Sequence, residues 1–362
     1  MSLGIVERLQ VAFAPPRYLL PRAVGIDISL SSIKAITLAS TNYGPIVDKT
    51  ADVRLPSGAF SEGEVTNRPA VIDALREVVH KVGADAAHIS LPESKSYLFE
   101  TSALGVNKRE WRVSVEQHLD ELVPLPPEET AFDVVRIGKD ENGETAVAGV
   151  GFARRIVDET LSVFDEAGIT ALSLESETFS TARALLPHGD DSTVLIIDLG
   201  RTTTKITIVA GGVPRFATTI AIGGHSLTLA VQKHFGVTEA EARKIKIERG
   251  IVSAPGNEDY IAAMLSTVSA IKDEIEHRLE YWQSKAAISK THEPVSRAIL
   301  TGGNASVRGL PEYLEGVLHV PVSAGDVFTN LASRSHWLPE FDYAESLAYS
   351  TVIGLALRSY VP

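Results

Sequence analysis

Two strand-turn-strand segments, half a chain apart, share one pattern of apolar and polar positions. Gly25-Ile26-Asp27-Ile28 runs through Ser29-Leu30-Ser31-Ser32 into Ile33-Lys34-Ala35-Ile36-Thr37-Leu38, and Ile196-Ile197-Asp198-Leu199 runs through Gly200-Arg201-Thr202-Thr203 into Thr204-Lys205-Ile206-Thr207-Ile208-Val209. Each predicts a β-hairpin: an apolar strand carrying an Asp near its end, a tight turn of small hydroxylic residues, and a second apolar strand. Asp falls on Asp, Lys on Lys and hydroxyl on hydroxyl, so the pair reads as an internal repeat rather than two unrelated surface hairpins.

The pattern elsewhere predicts alternating strands and helices. Strands are expected at Ile46–Leu55, His88–Leu91, Ala131–Ile137, Thr145–Phe152, Thr170–Leu174, Pro214–Ala221 and Ala298–Thr301. Helices are expected at Pro69–Val82, Asn107–Leu122, Arg154–Gly168, from Gly223-Gly224-His225-Ser226 through Phe235, and at Thr238–Arg249, Asp259–Lys285 and Tyr343–Arg358. Asp140-Glu141-Asn142-Gly143 is a hairpin turn. The α-β-β-α-β order in the middle of the first half suits a small inserted α+β subdomain. Residues 1–22 stand apart: Ile5, Leu9, Ala12 and Phe13 have helical spacing, Pro15-Pro16 stops the run, and Arg8, Arg17 and Arg22 outweigh Glu7. A short docked helix accounts for them, and three arginines would give a membrane surface little hold.

Two hydroxyl-rich tips facing each other would clamp phosphate. Small turn residues let backbone N–H groups form an anion nest, and Ser and Thr hydroxyls add donors. A strand-end Asp repels phosphate unless Mg²⁺ lies between them, and Mg²⁺ is usually held by one or two carboxylates together with phosphates and water. Asp27 and Asp198 are the natural pair.

Composition narrows the partners. At 362 residues and 44% hydrophobic, the chain is long enough for two lobes. A net charge of −12 with no Lys/Arg-rich run argues against nucleic acid. The absence of cysteine excludes disulfides and thiolate metal sites. No run of about 18 apolar residues predicts a membrane span, so a cytoplasmic protein is expected. Glu77 with His80, and Glu274 with His277, have the spacing of di-iron half-sites but fall in different halves, so solvated helix faces account for them. Lys205 and Arg215 read as surface cations. Walker A, dinucleotide and G-x-S-x-G motifs are missing.

Taken in order, D-x-S-x-S-x-x-K at Asp27–Lys34, the acidic Glu175-Ser176-Glu177, D-x-G-x-T-x-T at Asp198–Thr204, the helical Ala242-Arg243-Lys244-Ile245-Lys246, and a strand entering Thr301-Gly302-Gly303 resemble the actin-like ATPase superfamily. Gly223-Gly224-His225-Ser226-Leu227-Thr228, Glu241–Lys246 and Gly354-Leu355-Ala356-Leu357-Arg358 are similar to the PilM family of type IV pilus assembly proteins, relatives of the FtsA cell-division family. The resemblance implies an α/β, two-lobed actin-like ATPase fold of duplicated ribonuclease H-like domains, with a small α+β subdomain inserted in the first lobe. It implies these divisions: 1–22 as helix and linker, 23–100 with 174–190 as the first lobe, 101–173 as the insertion, 191–225 with 296–362 as the second lobe, and 226–295 as that lobe's own insertion.

It further implies ATP or ADP with Mg²⁺. Asp27 and Asp198 would hold the metal through water, and Lys34, Ser29, Leu30, Ser31 and Ser32 would meet phosphate from one side. Gly200, Arg201, Thr202 and Thr203 would meet it from the other. Glu177 would orient an attacking water. Gly223, Gly224, Arg243, Lys246, Gly302, Gly303 and Asn304 would surround the adenosine. Ser29, Arg243 and His225 depart from the family's commoner Gly, Glu, and acid or amide. The metal carboxylates are intact, so binding with slow turnover is expected.

The implied role is an assembly adaptor for the cytoplasmic N-terminal tail of a PilN-like inner-membrane protein, seated between the first lobe and the insertion, with other pilus components as further partners. Membrane contact would be indirect, by recruitment to its inner face, and a homo-oligomer or ring is compatible. A sugar kinase of this fold would need a catalytic Asp base and a sugar pocket, neither of which the sequence locates. An FtsA-like filament protein would bring a C-terminal membrane helix after a linker, whereas Pro362 follows closely on the last predicted helix. A type II secretion relative would bring a membrane span.

Overall fold

The computed structural model describes residues 23–252, 257–288 and 292–360. The segment read as an N-terminal helix lies outside them. The first lobe opens with β1 (Ala23–Ile28), β2 (Ser32–Thr41) and β3 (Gly44–Arg54), followed by a small hairpin of β4 (Phe60–Ser61) and β5 (Glu64–Val65), then α1 (Arg68–Val82) and β6 (Ala86–Leu91). Asn67 caps α1 by accepting from the Ala70 N–H, and Val71, Leu75, Val78 and Val82 line its buried side at helical spacing.

The insertion follows as β7 (Ser96–Ala103), α2 (Lys108–Glu116), α3 (Leu119–Leu122), β8 (Thr130–Lys139) and β9 (Thr145–Ala153), and the chain leaves it through α4 (Arg154–Glu166). Its sheet runs β7-β9-β8 over a core of its own that includes Phe99, Val115, Leu119, Val134 and Val147. Strand β7 is absent from the sequence expectation, and the helix expected over Asn107–Leu122 breaks at Gln117 and His118. Helix α4 follows the insertion in sequence, but its Val163 and Phe164 pack into the first-lobe core. Residues 101–173, grouped together by the sequence reading, are therefore divided between two cores.

The chain returns to the first lobe with β10 (Thr170–Ser176) and leaves through α5 (Glu177–Leu185). The second lobe contains β11 (Thr193–Leu199), β12 (Thr204–Ala210), β13 (Val213–Ile220), α6 (Gly224–Phe235), α7 (Glu239–Arg249), α8 (Glu258–Ile288), β14 (Arg297–Thr301), α9 (Leu310–Leu318), β15 (Val322–Ala324), α10 (Tyr343–Ser346) and α11 (Ser350–Leu357). The single C-terminal helix expected from the sequence is split by a 3₁₀ turn at Leu347–Tyr349.

Both large sheets have one strand order, β3-β2-β1-β6-β10 in the first lobe and β13-β12-β11-β14-β15 in the second. In each, three strands form an antiparallel meander and two more add in parallel beside the first. The repeated segment is therefore the β1–β2 hairpin of one sheet and the β11–β12 hairpin of the other, with Asp27 opposite Lys34 and Asp198 opposite Lys205. Helices α5 and α11 join the lobes. They approach so closely that a β-carbon on Gly354 would lie 1.7 Å from the Ser180 carbonyl oxygen, and every residue of α11 is buried.

Candidate functional site

The turns at the ends of the two repeated hairpins enter one cleft of about 660 Å³ between the lobes. Its lining includes Asp27, Ser29, Leu30, Ser31 and Lys34 from the first hairpin, Asp198, Gly200, Arg201, Thr202, Thr203 and Lys205 from the second, Glu177 from the start of α5, and Gly302, Gly303 and Asn304 after β14. The size suits a small ligand, for which pockets of roughly 300–1,000 Å³ are usual. Gly224, Arg243 and Lys246 line a smaller adjoining pocket of about 180 Å³, shared with Arg201, Gly303 and Asn304. Ser32 is nearly buried and borders the space in front of the tips. Gly223 does not border the cleft in this way. It packs beneath the second tip, where a β-carbon would lie 2.7 Å from Thr203 N.

The two tips close differently. The Ser29 hydroxyl donates to the Ser32 carbonyl at 2.8 Å and accepts from the Ser32 N–H at 3.2 Å. It is used within its own turn, and the Ser-for-Gly departure needs no left-handed backbone: among the described residues only Glu62 and His319 combine a side chain with positive φ. At the second tip the Gly200 N–H donates to the Thr203 carbonyl, and Arg201 and Thr202 stand exposed to the cleft.

Four charged groups meet on the cleft floor. Lys205 pairs with Glu177 and lies 3.8 Å from Asp198. Asp27 accepts from the Ser90 hydroxyl at 2.6 Å. Glu177 is raised to about 7: burial is the largest cause, Lys205 opposes it, and Asp27 and Asp198 add to the rise. Against the cost of its own burial, Lys205 is held strongly protonated by Glu177, Asp198 and Asp27. Lys205 is thus not the surface cation the sequence suggested. Its cross-strand neighbours are Asp198 on one side and Thr219 on the other; Thr219 offers no charge, so the ammonium turns to the other lobe. Lys34 holds the same place in the first hairpin but lies across from Asp52, 3.8 Å away, and 3.4 Å from the Ser32 hydroxyl.

Gly302 has φ +88°, and a β-carbon there would lie 2.3 Å from Asp198 Oδ1. Lys246 donates to the Gly224 carbonyl at 3.1 Å and to Asn304 at 2.7 Å, and burial followed by the nearby Arg243 charge lowers it to about 8. Lys246 therefore braces the wall of the smaller pocket. Glu239 lies 3.5 Å from Arg201 and His225 and 3.6 Å from Arg243. Of the acidic pair around Ser176, Glu177 faces the cleft, whereas Glu175 is held by Arg183 and Arg358.

Arg215 is also buried rather than exposed. It joins Glu100 of β7, and Thr219 donates to Glu93, so β13 is tied to the first lobe and its insertion. The two di-iron spacings are surface ion pairs, Glu77 with Lys81 and Glu274 with Arg278. Among the described residues no group of three or more His, Cys, Asp or Glu is arranged to hold a metal ion directly. The carboxylate excess facing the cleft fits a hydrated ion held by Asp27 and Asp198 through water. No described helix is long and apolar enough to cross a membrane.

The profile of the type IV pilus assembly protein PilM matches residues 25–360. The chain belongs to the PilM family. It is similar to the cell division protein FtsA of Neisseria meningitidis serogroup B, at 23% identity over 312 residues covering 75% of each chain. FtsA of Rhizobium meliloti is 28% identical over 185 residues, 46% of this chain and 40% of its own. A structure described as the PilM-PilN type IV pilus biogenesis complex superposes with TM-score 0.75 and 20% identity over 94% of this chain and 99% of that one. MreB5 of Spiroplasma citri bound to ADP superposes with TM-score 0.55 and 12% identity over 94% and 98%. The PilM-family fold is thus an actin-like, two-lobed one.

Proposed function

We propose that this PilM-family chain is an adenine-nucleotide-binding adaptor of type IV pilus assembly, whose lobe closure favours docking of the N-terminal tail of a PilN-like inner-membrane protein. The observation that carries this reading is the duplicated hairpin: Asp27 and Asp198 end equivalent central strands, and both turns enter one cleft. Ser31, Thr202 and Thr203 supply hydroxyl donors to phosphate, and Lys34 supplies charge. Gly224, Arg243 and Lys246 shape the smaller pocket, which suits the nucleoside end of the ligand. Bound Mg²⁺ would neutralise phosphate charge between the two aspartates. Glu177 would orient the attacking water, a role supported by its position in the cleft, so any turnover would depend on freeing it from Lys205.

Partner docking is supported by the fold and by what the superposing complex is said to contain. An extended tail adds to a sheet edge through backbone hydrogen bonds. In the strand order, β10 and β8 are outer strands on the two sides of the first lobe and its insertion. Exposed Leu172 lies on β10, and exposed Leu104, Val106 and Val113 lie on the insertion. Recruitment to the membrane would then run through the partner. If closure links the two sites, each ligand strengthens the other by the same free energy.

Calorimetry of ATP and ADP, with and without Mg²⁺ and then with a PilN-like tail peptide, tests this. Mg-nucleotide binding that tightens with peptide is the expected result. Peptide binding indifferent to nucleotide would remove the coupling, and absence of nucleotide binding would remove the clamp.

A further inference from the structure

The second hairpin's lysine has a different environment from its counterpart in the first. Lys34 and Lys205 stand at the same place in the repeat, each directly across from the strand-end Asp of its own hairpin. On the other side, Lys34 faces Asp52, whereas Lys205 faces Thr219. Paired strand residues point to the same side of the sheet, so Lys34 has a carboxylate within its own sheet on each side and Lys205 has one on one side only. Thr219 is in turn engaged with Glu93. The Lys205 ammonium therefore reaches across the cleft floor to Glu177 on the first-lobe side while staying 3.8 Å from Asp198.

We infer that Lys205 is a resident cation of the cleft, neutralising Glu177 and Asp198 beside Asp27 and so competing with a divalent metal for the carboxylates. This rests on the nucleotide-clamp reading and extends it. Asp27, Glu177 and Asp198 are three of the five acidic residues that line the cleft, with Glu62 and Glu93, and without Lys205 their repulsion would have to be relieved by a bound ion or by protonation. With it, the floor is partly neutralised before any ligand arrives. Lys205 acts through the carboxylates, so it is a positioning residue that sets how strongly the site depends on metal. Nucleotide binding should then keep a substantial metal-independent component.

The first test uses Mn²⁺ alone, with no nucleotide, bound to the full chain and followed by electron paramagnetic resonance. Lys205→Met keeps most of the side-chain stem and removes the charge. It should tighten Mn²⁺ binding by at least about tenfold, the scale on which groups around a metal's ligands tune affinity. Glu177→Gln/Lys205→Met removes both members of the ion pair, keeps Asp27 and Asp198, and covers a failure of the single variant to fold; a smaller gain in the same direction is expected. Unchanged or weaker Mn²⁺ binding in the folded variants overturns the inference, because an ordinary structural ion pair would not move this readout.

The second test compares ADP affinity in EDTA and in Mg²⁺. The wild type should differ between the two conditions by less than about tenfold, and Lys205→Met by well over that. An equal ratio in both proteins overturns the resident-cation role while leaving the clamp intact. Loss of ADP binding under every condition in the wild type would instead strike the clamp, and the Mn²⁺ titration would still decide the role of Lys205.

Discussion

Arg215 grips both carboxylate oxygens of Glu100, at 2.5 and 2.6 Å, joining the edge of the second-lobe sheet to the inserted sheet. The Arg215 side chain is only 5% exposed and Glu100 23%, so the pair works largely away from water. Such a pair costs desolvation to form, and losing one member strands the other. Glu100→Ala should therefore destabilise the chain by about 3 kcal/mol, while replacing both residues by leucine should recover most of that. Urea denaturation of the three proteins measures this directly. Equal loss in the single and double variants would show that packing, not charge, dominates the contact.

Gly302 and Asp198 make a second such contact, without charge pairing. The positive φ and the 2.3 Å approach to Asp198 Oδ1 leave no room for a methyl group. Gly302→Ala should lower stability by about 1–3 kcal/mol and weaken Mg-nucleotide binding by displacing the carboxylate. Asp198→Ala should leave the fold intact and remove the Mg²⁺-dependent part of nucleotide affinity, so that the affinities in EDTA and in Mg²⁺ become equal. Circular dichroism and calorimetry separate the two effects. Unaltered nucleotide affinity in Asp198→Ala would refute the metal role.

His88 joins β6 to Ser173 and to Ser359, at 2.8 Å from each ring nitrogen. Burial, then the neighbouring Arg358 charge, lowers it to about 4 from its ordinary 6.5. The unfolded chain therefore takes up the proton first as the pH falls. The contribution of His88 is fully present above about pH 6.5 and declines towards pH 4, reaching about 2–3 kcal/mol at most. His88→Asn should flatten the pH dependence of the urea midpoint across that window. A variant as pH-sensitive as the wild type would assign the dependence to other groups.

The space in front of the tips gathers Lys34 and Arg54 from the first lobe and Arg201 and Arg243 from the second, with Asp52 among them. On a chain of net charge −12 this is a local positive field. Such a field speeds entry of anions in a salt-dependent way. Arg54→Gln should slow stopped-flow association of a fluorescent nucleotide and weaken its salt dependence, with dissociation nearly unchanged. A change confined to dissociation would make Arg54 a contact rather than a guide.

The duplicated hairpins, their strand-end aspartates and most helices are legible in the sequence because residues a few positions apart determine them. Asp27 and Lys34 sit opposite each other for the same local reason as Asp198 and Lys205. The lysine partners are not local. Lys205 meets Glu177, and Arg215 meets Glu100 across 115 residues of chain, only after the two lobes and the insertion have packed. Sequence reading therefore left both cations on the surface. Likewise, β7 lacks a clear period-two signal and becomes a strand beside β9, and α4 is assigned to the first lobe by where Val163 and Phe164 find a core. Local periodicity determined the elements and the hydroxyl-rich tips. Tertiary packing determined which charges lose their water, and thus which of them must find a partner across the cleft.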